Sequence, residues 1–250
     1  MSISNPPKNK WRVFACIALF FGCGFSDAAP GALLPTIESY YGINYSIASL
    51  IWVANAGGFI IIACFSDKLQ PWFDRRNSLV LGCVLCCIMY AIISSGADHP
   101  ALVVKYPAIV FAFLLGGAGF GTLISQCNVF ISRLEGSSLY LSYLHGSYGI
   151  GATISPLVVT TMVGRGIPWH YFYMILLGIM IANCMNIYFA FTGADKDLLP
   201  WEESVTAGFD RDTSDDRSNN GFAMQTFTQA QSQPQQNTPS DMVLALKNPV

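Results

Sequence analysis

Charge is what this 250-residue chain has least of. Only 11% of its residues are Asp, Glu, Lys or Arg, against about 25% in an average soluble domain. This deficit excludes an ordinary soluble globular protein. The formal net charge of −2 also leaves no basic surface for nucleic acid, and we expect no nucleic-acid partner.

Histidine is scarce as well, and its three copies limit the catalytic chemistry. His145 lies in a His-Gly-Ser sequence, but His99 falls in an expected loop and His170 at the edge of an apolar run. No Ser–His arrangement of a protease is therefore assembled. One Cys-x-x-Cys pair, Cys83 and Cys86, has no histidine or second pair nearby for a metal site. We expect no enzyme, no cofactor and no metal.

Long uncharged runs are what the chain has instead. The first extends over residues 13–37 with Asp27 as its one charge, and the others cover residues 44–66, 77–97, 106–132, 136–164 and 166–194. A helix needs about 20 apolar residues to cross a bilayer. The pattern therefore predicts an all-α membrane protein with six transmembrane helices, at residues 12–34, 44–66, 78–96, 105–132, 138–163 and 169–192.

The distribution of Lys and Arg predicts the orientation of these helices. Eight basic residues precede helix 1 or follow helices 2, 4 and 6, whereas only Lys105 and Arg165 lie on the opposite side. Residues 1–11 are therefore a cytoplasmic N-terminus, and residues 12–192 are the transmembrane domain. Residues 193–250 hold nine acidic against four basic residues and an Asn/Gln/Ser/Thr-rich stretch. This composition predicts a disordered cytoplasmic tail.

Polar side chains inside the apolar runs are the candidate functional groups. An ionisable group in lipid is costly and marks a functional site by default. Lipid burial favours the protonated form of a carboxylate, and Pro30 weakens the helix beside Asp27. Asp27 is therefore the candidate proton-coupling group; the alternative is a packing carboxylate, hydrogen-bonded to Asn55 or another neighbour. The other buried polar residues either line a cavity or join helices.

Four stretches together resemble the major facilitator superfamily, in particular its fucose–proton symporter branch and fungal relatives. They are GFSDAAPGALLP at residues 24–35, DKLQPWFDRR at 67–76, GFGTLISQCN at 119–128 and HGSYGIGATISP at 145–156. The resemblance covers residues 12–192. The sequence departs from it at Phe73, where the family loop usually has Gly. It departs again at Ile124, where the bacterial sugar symporter has an acid four residues before the Asn.

The resemblance implies a transporter of twelve helices in two pseudo-symmetric halves, with the substrate between them. This chain resembles the N-terminal half, whose partner is a C-terminal half or a second copy. The implied activity is proton-coupled symport of a sugar or similar polar small solute across a lipid bilayer. The expected proton-coupling residue is Asp27. The expected substrate contacts are Asn55, Gln126, Asn128 and His145. The expected gating residues are Asp67, Asp74, Arg75 and Arg76.

The alternative is a six-helix membrane protein that does not transport: a sensor, a regulator of a paralogue, or an inactive fragment. An open reading frame that continues beyond Val250 into six more apolar runs distinguishes the two hypotheses.

The charge asymmetry predicts outward loops at residues 35–43, 97–104 and 164–168. In a background depleted of cysteine, an impermeant thiol reagent added to intact cells is expected to label cysteines placed in these loops. Ser78, at the start of helix 3, is expected on the inner side. Labelling of Ser78→Cys from outside would contradict the orientation.

Overall fold

The computed structural model describes residues 2–69, 74–95 and 106–194, with the backbone alone at residues 66–69. All of them lie in one compact unit, Met1–Leu198. Within these ranges the chain forms helices and no β-strand. The helices are α1 Asn9–Asp27, α2 Ala29–Tyr41, α3 Tyr45–Ala48, α4 Leu50–Leu69, α5 Arg75–Ser94, α6 Tyr106–Ser132, α7 Ser137–Gly164 and α8 His170–Ala190. The expected tail, from residue 195 onward, lies outside the described residues.

Five of the expected membrane spans are helices of sufficient length and apolarity to cross a bilayer. They are Asn9–Tyr41, Tyr45–Phe65, Arg75–Ser94, Tyr106–Ser132 and His170–Ala190. The sixth expected span falls on α7, a helix of 28 residues that is not in this group. α7 contains many Ser, Thr, Tyr and Gly residues and is less apolar than α6 and α8, the helices before and after it in the chain. The chain is an integral, multi-pass membrane protein.

The first expected helix, 12–34, is longer than predicted and interrupted. It extends from Asn9 to Tyr41, and α1 ends at Asp27 with Ala28 between it and α2. Pro30 has no N–H group, so the Ser26 carbonyl loses its helical donor. Ala28 keeps helical dihedral angles (φ −81°, ψ −19°), so the break interrupts the hydrogen-bond ladder without turning the chain. The helix ends at Gly42, whose φ of +62° suits glycine.

The second expected helix, 44–66, is also divided. Asn44 begins it, because its side-chain oxygen accepts a hydrogen bond from the Ile47 N–H at 2.9 Å. A single turn, α3, then leads into α4, which extends to Leu69. The one proton of the Tyr106 hydroxyl, at the start of α6, is shared between the Ile47 carbonyl at 2.9 Å and the Ala48 carbonyl at 2.7 Å. These bonds anchor the irregular turn to α6.

Glycines set how closely the helices approach. The main neighbours are α4 with α6, α6 with α5, α5 with α8, and α1 with both α8 and α7. Where α1 crosses α7, a Cβ on Gly24 would overlap the carbonyl oxygen of Tyr148, and a Cβ on Gly151 would overlap that of Phe21. A Cβ on Gly117 of α6 would overlap the carbonyl oxygen of Asn55 in α4. Backbones in lipid pack this closely only where side chains are small.

The buried side chain of Arg12 joins the start of α1 to the end of α8. Its Nε donates to the Ala190 carbonyl at 3.2 Å, and its Nη1 donates to Asn9 Oδ1 at 3.1 Å. The last carbonyls of a helix have no intrahelical donor, and the helix dipole favours a cation there. The neighbouring Trp11 Nε1 donates to Asn186 Oδ1 at 2.9 Å. Arg12 is therefore a structural cation that joins the two helix ends.

Two glycines of α7 provide a matched test of the helix contacts. Gly151→Ala places a methyl group against the α1 backbone and is expected to destabilise the chain by roughly 1–3 kcal/mol. A methyl group added at Gly149 would meet no atom within 4 Å, so Gly149→Ala is expected to be neutral or to stabilise by up to about 1 kcal/mol. Thermal unfolding of the purified protein in detergent measures both. Equal midpoints for the two variants would contradict the contact.

Candidate functional site

Asp27 is the last residue of α1, and its side chain is exposed on the surface of the helix bundle. The Tyr148 hydroxyl of α7 donates a hydrogen bond to Asp27 Oδ2 at 2.6 Å. Within the described residues, the hydrogen-bond donor to the Asp27 side chain is therefore a phenol from α7 and not Asn55.

A pocket opens beside Asp27 and draws on six helices. Its lining residues come from α1, α2, α4, α5, α6 and α8: Ser26, Asp27, Pro30, Trp52, Asn55, Met89, Phe113, Phe120 and Tyr173. Of the residues expected to bind substrate or proton, the pocket brings together Asp27 and Asn55. Its polar groups lie among aromatic and apolar side chains, and its volume of about 10 Å³ has room for one water molecule.

Two buried polar atoms of the pocket residues have no hydrogen-bond partner in the described part of the chain. They are Asn55 Oδ1 and the Tyr173 hydroxyl, and the Tyr173 side chain is only 1% exposed. A buried polar group without a partner costs about 1–3 kcal/mol. Natural proteins keep few such groups, and each calls for an explanation such as a ligand or a water molecule. Asn55 and Tyr173 are therefore candidate contacts for a polar ligand.

The other expected substrate contacts do not line this pocket. Gln126 and Asn128 lie 6 and 8 residues beyond Phe120 in α6, which is about 9–12 Å along the helix. Gln126 is buried, and the Oδ1 of Asn128 is buried without a partner among the described residues. His145 is exposed on α7, and its ring meets the Phe20 ring edge-on at 5.7 Å. The structure shows no contact of His145 with Gln126 or Asn128 within the described residues.

The expected gating residues are described in part. The Asp67 side chain lies outside the described residues, so its pairing with a basic residue remains a prediction. Asp74 immediately precedes α5 and is exposed. Arg75 Nη1 donates to the Gln126 carbonyl at 3.5 Å, which is a long hydrogen bond. The Arg76 guanidinium lies 5.1 Å from the centre of the Tyr188 ring, within the range of a cation–π contact.

Sequence reasoning did not identify Trp52, Tyr148 and Tyr173 as site residues. All three are aromatic residues in aromatic-rich helices, where packing is the usual role. The available signal was the polar end of each ring, because a phenol or indole N–H in a membrane helix needs a partner. Within the described residues no group of three His, Cys, Asp or Glu side chains has the arrangement of a metal site, and all eight cysteines are free.

Known proteins similar to this chain come from fungi and plants. A family model described as Major Facilitator Superfamily matches residues 15–235. "Bypass of stop codon protein 6" of Saccharomyces cerevisiae is 28% identical over 222 residues, which are 87% of this chain and 43% of that protein. "Sucrose transport protein SUT5" of Oryza sativa, in both the indica and japonica subspecies, is 31% identical over 93 residues, which are 33% of this chain and 17% of the rice protein. The chain thus spans less than half the length of these curated relatives.

Proposed function

The chain belongs to the major facilitator superfamily, and from this premise we propose that it is the N-terminal, six-helix half of a proton-coupled transporter for a sugar or similar polar small solute. Membership in this family indicates a transporter and not an enzyme. The fucose–proton symporter branch is the proposed subgroup. The observation that carries the proposal is a carboxylate, Asp27, that lies beside a pocket at a break in an apolar helix.

Asp27 has the properties that a proton-coupling group needs. It borders the pocket, so a proton and a ligand reach the same place. Its helix is interrupted at the next residue, and irregular backbone at membrane depth occurs where it is buried in protein or lines a cavity. A neutral carboxyl is far less costly in an apolar surrounding than a charged one. Proton binding at Asp27 therefore changes the energy of exposing the pocket to either side of the membrane.

The cavity has a volume of about 10 Å³, room for one water molecule, so the support for a sugar lies in the chemistry of its lining. Asn55 Oδ1, the Tyr173 hydroxyl and Asp27 offer hydrogen bonds to hydroxyl groups. The Trp52 ring, 39% exposed, offers a flat apolar surface at the rim. The name of the rice relatives refers to sucrose, and we extend a sugar to this chain as a proposal. Gln126, Asn128 and His145 are proposed to line the cytoplasmic end of the same path.

The exposed face of α7 supports the proposal of a missing second half. Along this face lie small or weakly polar residues at helical spacing: Ser142, Gly146, Gly149, Thr153 and Thr160. A Cβ added at either glycine would meet no atom within 4 Å. Lipid is a poor solvent for a polar stripe, whereas small residues allow another helix to approach closely. The proposed occupant of this face is a helix of a C-terminal half or of a second copy.

The basic residues at the start of α5 are proposed to close the cytoplasmic side. Arg75 reaches the α6 backbone and Arg76 reaches Tyr188 on α8, so both tie α5 to neighbouring helix ends. Asp67 and Asp74 are the proposed acidic partners in this gate. Both termini are proposed to be cytoplasmic.

Asp27→Asn tests the proton coupling, because it keeps the size of the side chain but cannot titrate. In the complete transporter, we expect it to abolish uptake of the best-transported sugar of a panel against its gradient when pH is the only driving force. Counterflow exchange of the same sugar is expected to persist. Asn55→Ala is the matched pocket variant, expected to raise KM while accumulation is retained. Gradient-driven accumulation by Asp27→Asn would rule out Asp27 as the coupling site.

The proposed half is expected to be inactive alone. Reconstituted into liposomes as a monodisperse monomer, the 250-residue chain is expected to show no saturable sugar uptake, because one wall of the substrate site is missing. As the positive control, co-expression with a C-terminal half of a related transporter is expected to give saturable sugar uptake. Saturable uptake by the monomer would refute the proposal that the chain needs a second half.

A further inference from the structure

The end of α8 contacts the starts of both α1 and α5, and each of them brings a basic side chain to it. The exposed Lys8, which precedes α1, donates from Nζ to the Thr192 carbonyl at 3.2 Å, just beyond the end of α8. The Arg76 guanidinium of α5 lies over the Tyr188 ring, 5.1 Å from its centre. The Thr192 hydroxyl donates to the Tyr188 carbonyl at 2.6 Å. Two cations therefore contact the same turn of chain at one end of the bundle.

An apolar surface continues from this turn along α8. Three exposed side chains form it, at positions i, i+4 and i+7: Ile181, Met185 and Tyr188. Such positions share one side of a helix, so the three form a stripe that ends beside Arg76. The exposed Trp11 ring of α1 borders the same end of α8, where its Nε1 donates to Asn186 Oδ1 at 2.9 Å. The surface thus combines an apolar stripe with aromatic rings and cations at one end.

From this arrangement we propose that the end of α8 is a binding site for an anionic phospholipid. Lys8 and Arg76 bind the phosphate-containing headgroup, and the α8 stripe contacts an acyl chain. An ammonium carries three N–H donors and a guanidinium five, so each cation has donors in addition to the contact described. Basic side chains at helix ends attract anionic headgroups, and Trp and Tyr rings prefer the level of the headgroups.

The charges at these helix ends favour an anionic lipid over a neutral one. Residues 8–12 and 74–76, at the starts of α1 and α5, hold five basic residues against the single carboxylate of Asp74. Residues 186–194, at the end of α8, carry no charged side chain. The described side chains at this end of α8 therefore present a net positive charge to the membrane surface.

The apolar stripe favours a lipid over a soluble phosphate. It extends over seven residues of α8, about 10 Å along the helix axis, and a soluble anion would leave it uncovered. The stripe also differs from the α7 face that is proposed to meet a second half, because α8 packs against α1 and α5 whereas α7 packs mainly against α1. The proposal is independent of the solute and of the coupling ion, and only the assignment to the cytoplasmic leaflet rests on the proposed orientation.

Thermal unfolding of the purified 250-residue chain in detergent tests the lipid class. Added phosphatidylserine is expected to raise the unfolding midpoint. Phosphatidylcholine, which is neutral, and glycerophosphoserine, which has the headgroup without acyl chains, are expected to leave the midpoint unchanged. An equal rise with phosphatidylcholine would overturn the anionic specificity, and an equal rise with glycerophosphoserine would overturn the role of the apolar stripe.

Substitutions test the two cations. The phosphatidylserine concentration that gives half of the rise is expected to increase about fivefold for each cation removed, and about 25-fold in Lys8→Gln/Arg76→Gln. The rise is compared within each variant, because the loss of the Lys8 contact with α8 also lowers the starting midpoint. Arg165→Gln is the matched control, since it removes an exposed cation near the opposite end of α8 and is expected to keep the affinity. An unchanged affinity in the double variant would contradict the site.

A photo-crosslink identifies the occupant without reference to stability. Benzoylphenylalanine at position 188, in nanodiscs with equal amounts of phosphatidylserine and phosphatidylcholine, is expected to form mainly the phosphatidylserine adduct, read by mass spectrometry. The same residue at position 174, exposed near the other end of α8, is expected to capture both lipids equally. Equal capture at position 188 would overturn the proposal. So would an adduct there with the acidic segment 195–216 or with a second copy of the chain.

Discussion

Lipid offers no hydrogen-bond partner to a peptide group, and the rest of the structure depends on this constraint. Continuous helices satisfy it within one segment. Where the helix is interrupted, either other hydrogen-bond partners or the candidate site lie beside the interruption. At Asn44 the side chain caps the new turn, and the Tyr106 hydroxyl bonds to its carbonyls. At Ala28 the interruption lies beside Asp27 and the pocket. Irregular backbone and polar function therefore coincide.

Close helix crossings also determine where the polar side chains of the candidate site lie. The carbonyl oxygen of Asn55 lies against Gly117, and that of Tyr148 lies against Gly24. These two residues are the ones whose side chains reach the pocket and the carboxylate. A larger residue at either glycine would push a helix outward and move a polar side chain with it. Glycine packing, which carries no chemistry itself, therefore determines the geometry of the polar groups.

The sequence predicts the helices better than it predicts the site. The apolar runs place α5, α6, α7 and α8 within three residues of the observed ends, because each run is long and bounded by charge or loop residues. The first helix is expected to end at residue 34, yet the chain remains helical to Tyr41 with Pro35 inside α2. The partnership of Asp27 with Tyr148 spans 121 residues and depends on how α1 crosses α7. Periodicity along one helix contains no information about such a crossing.

The buried Arg12 has a consequence for the order of events during synthesis. Its guanidinium donates a hydrogen bond to the carbonyl of Ala190 at the end of α8, which lies 178 residues later in the chain. Arg12 is synthesised early, whereas the acceptor carbonyl of Ala190 exists only after the intervening residues have been synthesised. Until then, Asn9 Oδ1, three residues earlier in the same helix, is an acceptor already present for the guanidinium. The joint between the start of α1 and the end of α8 therefore forms only after the helices between them have been synthesised.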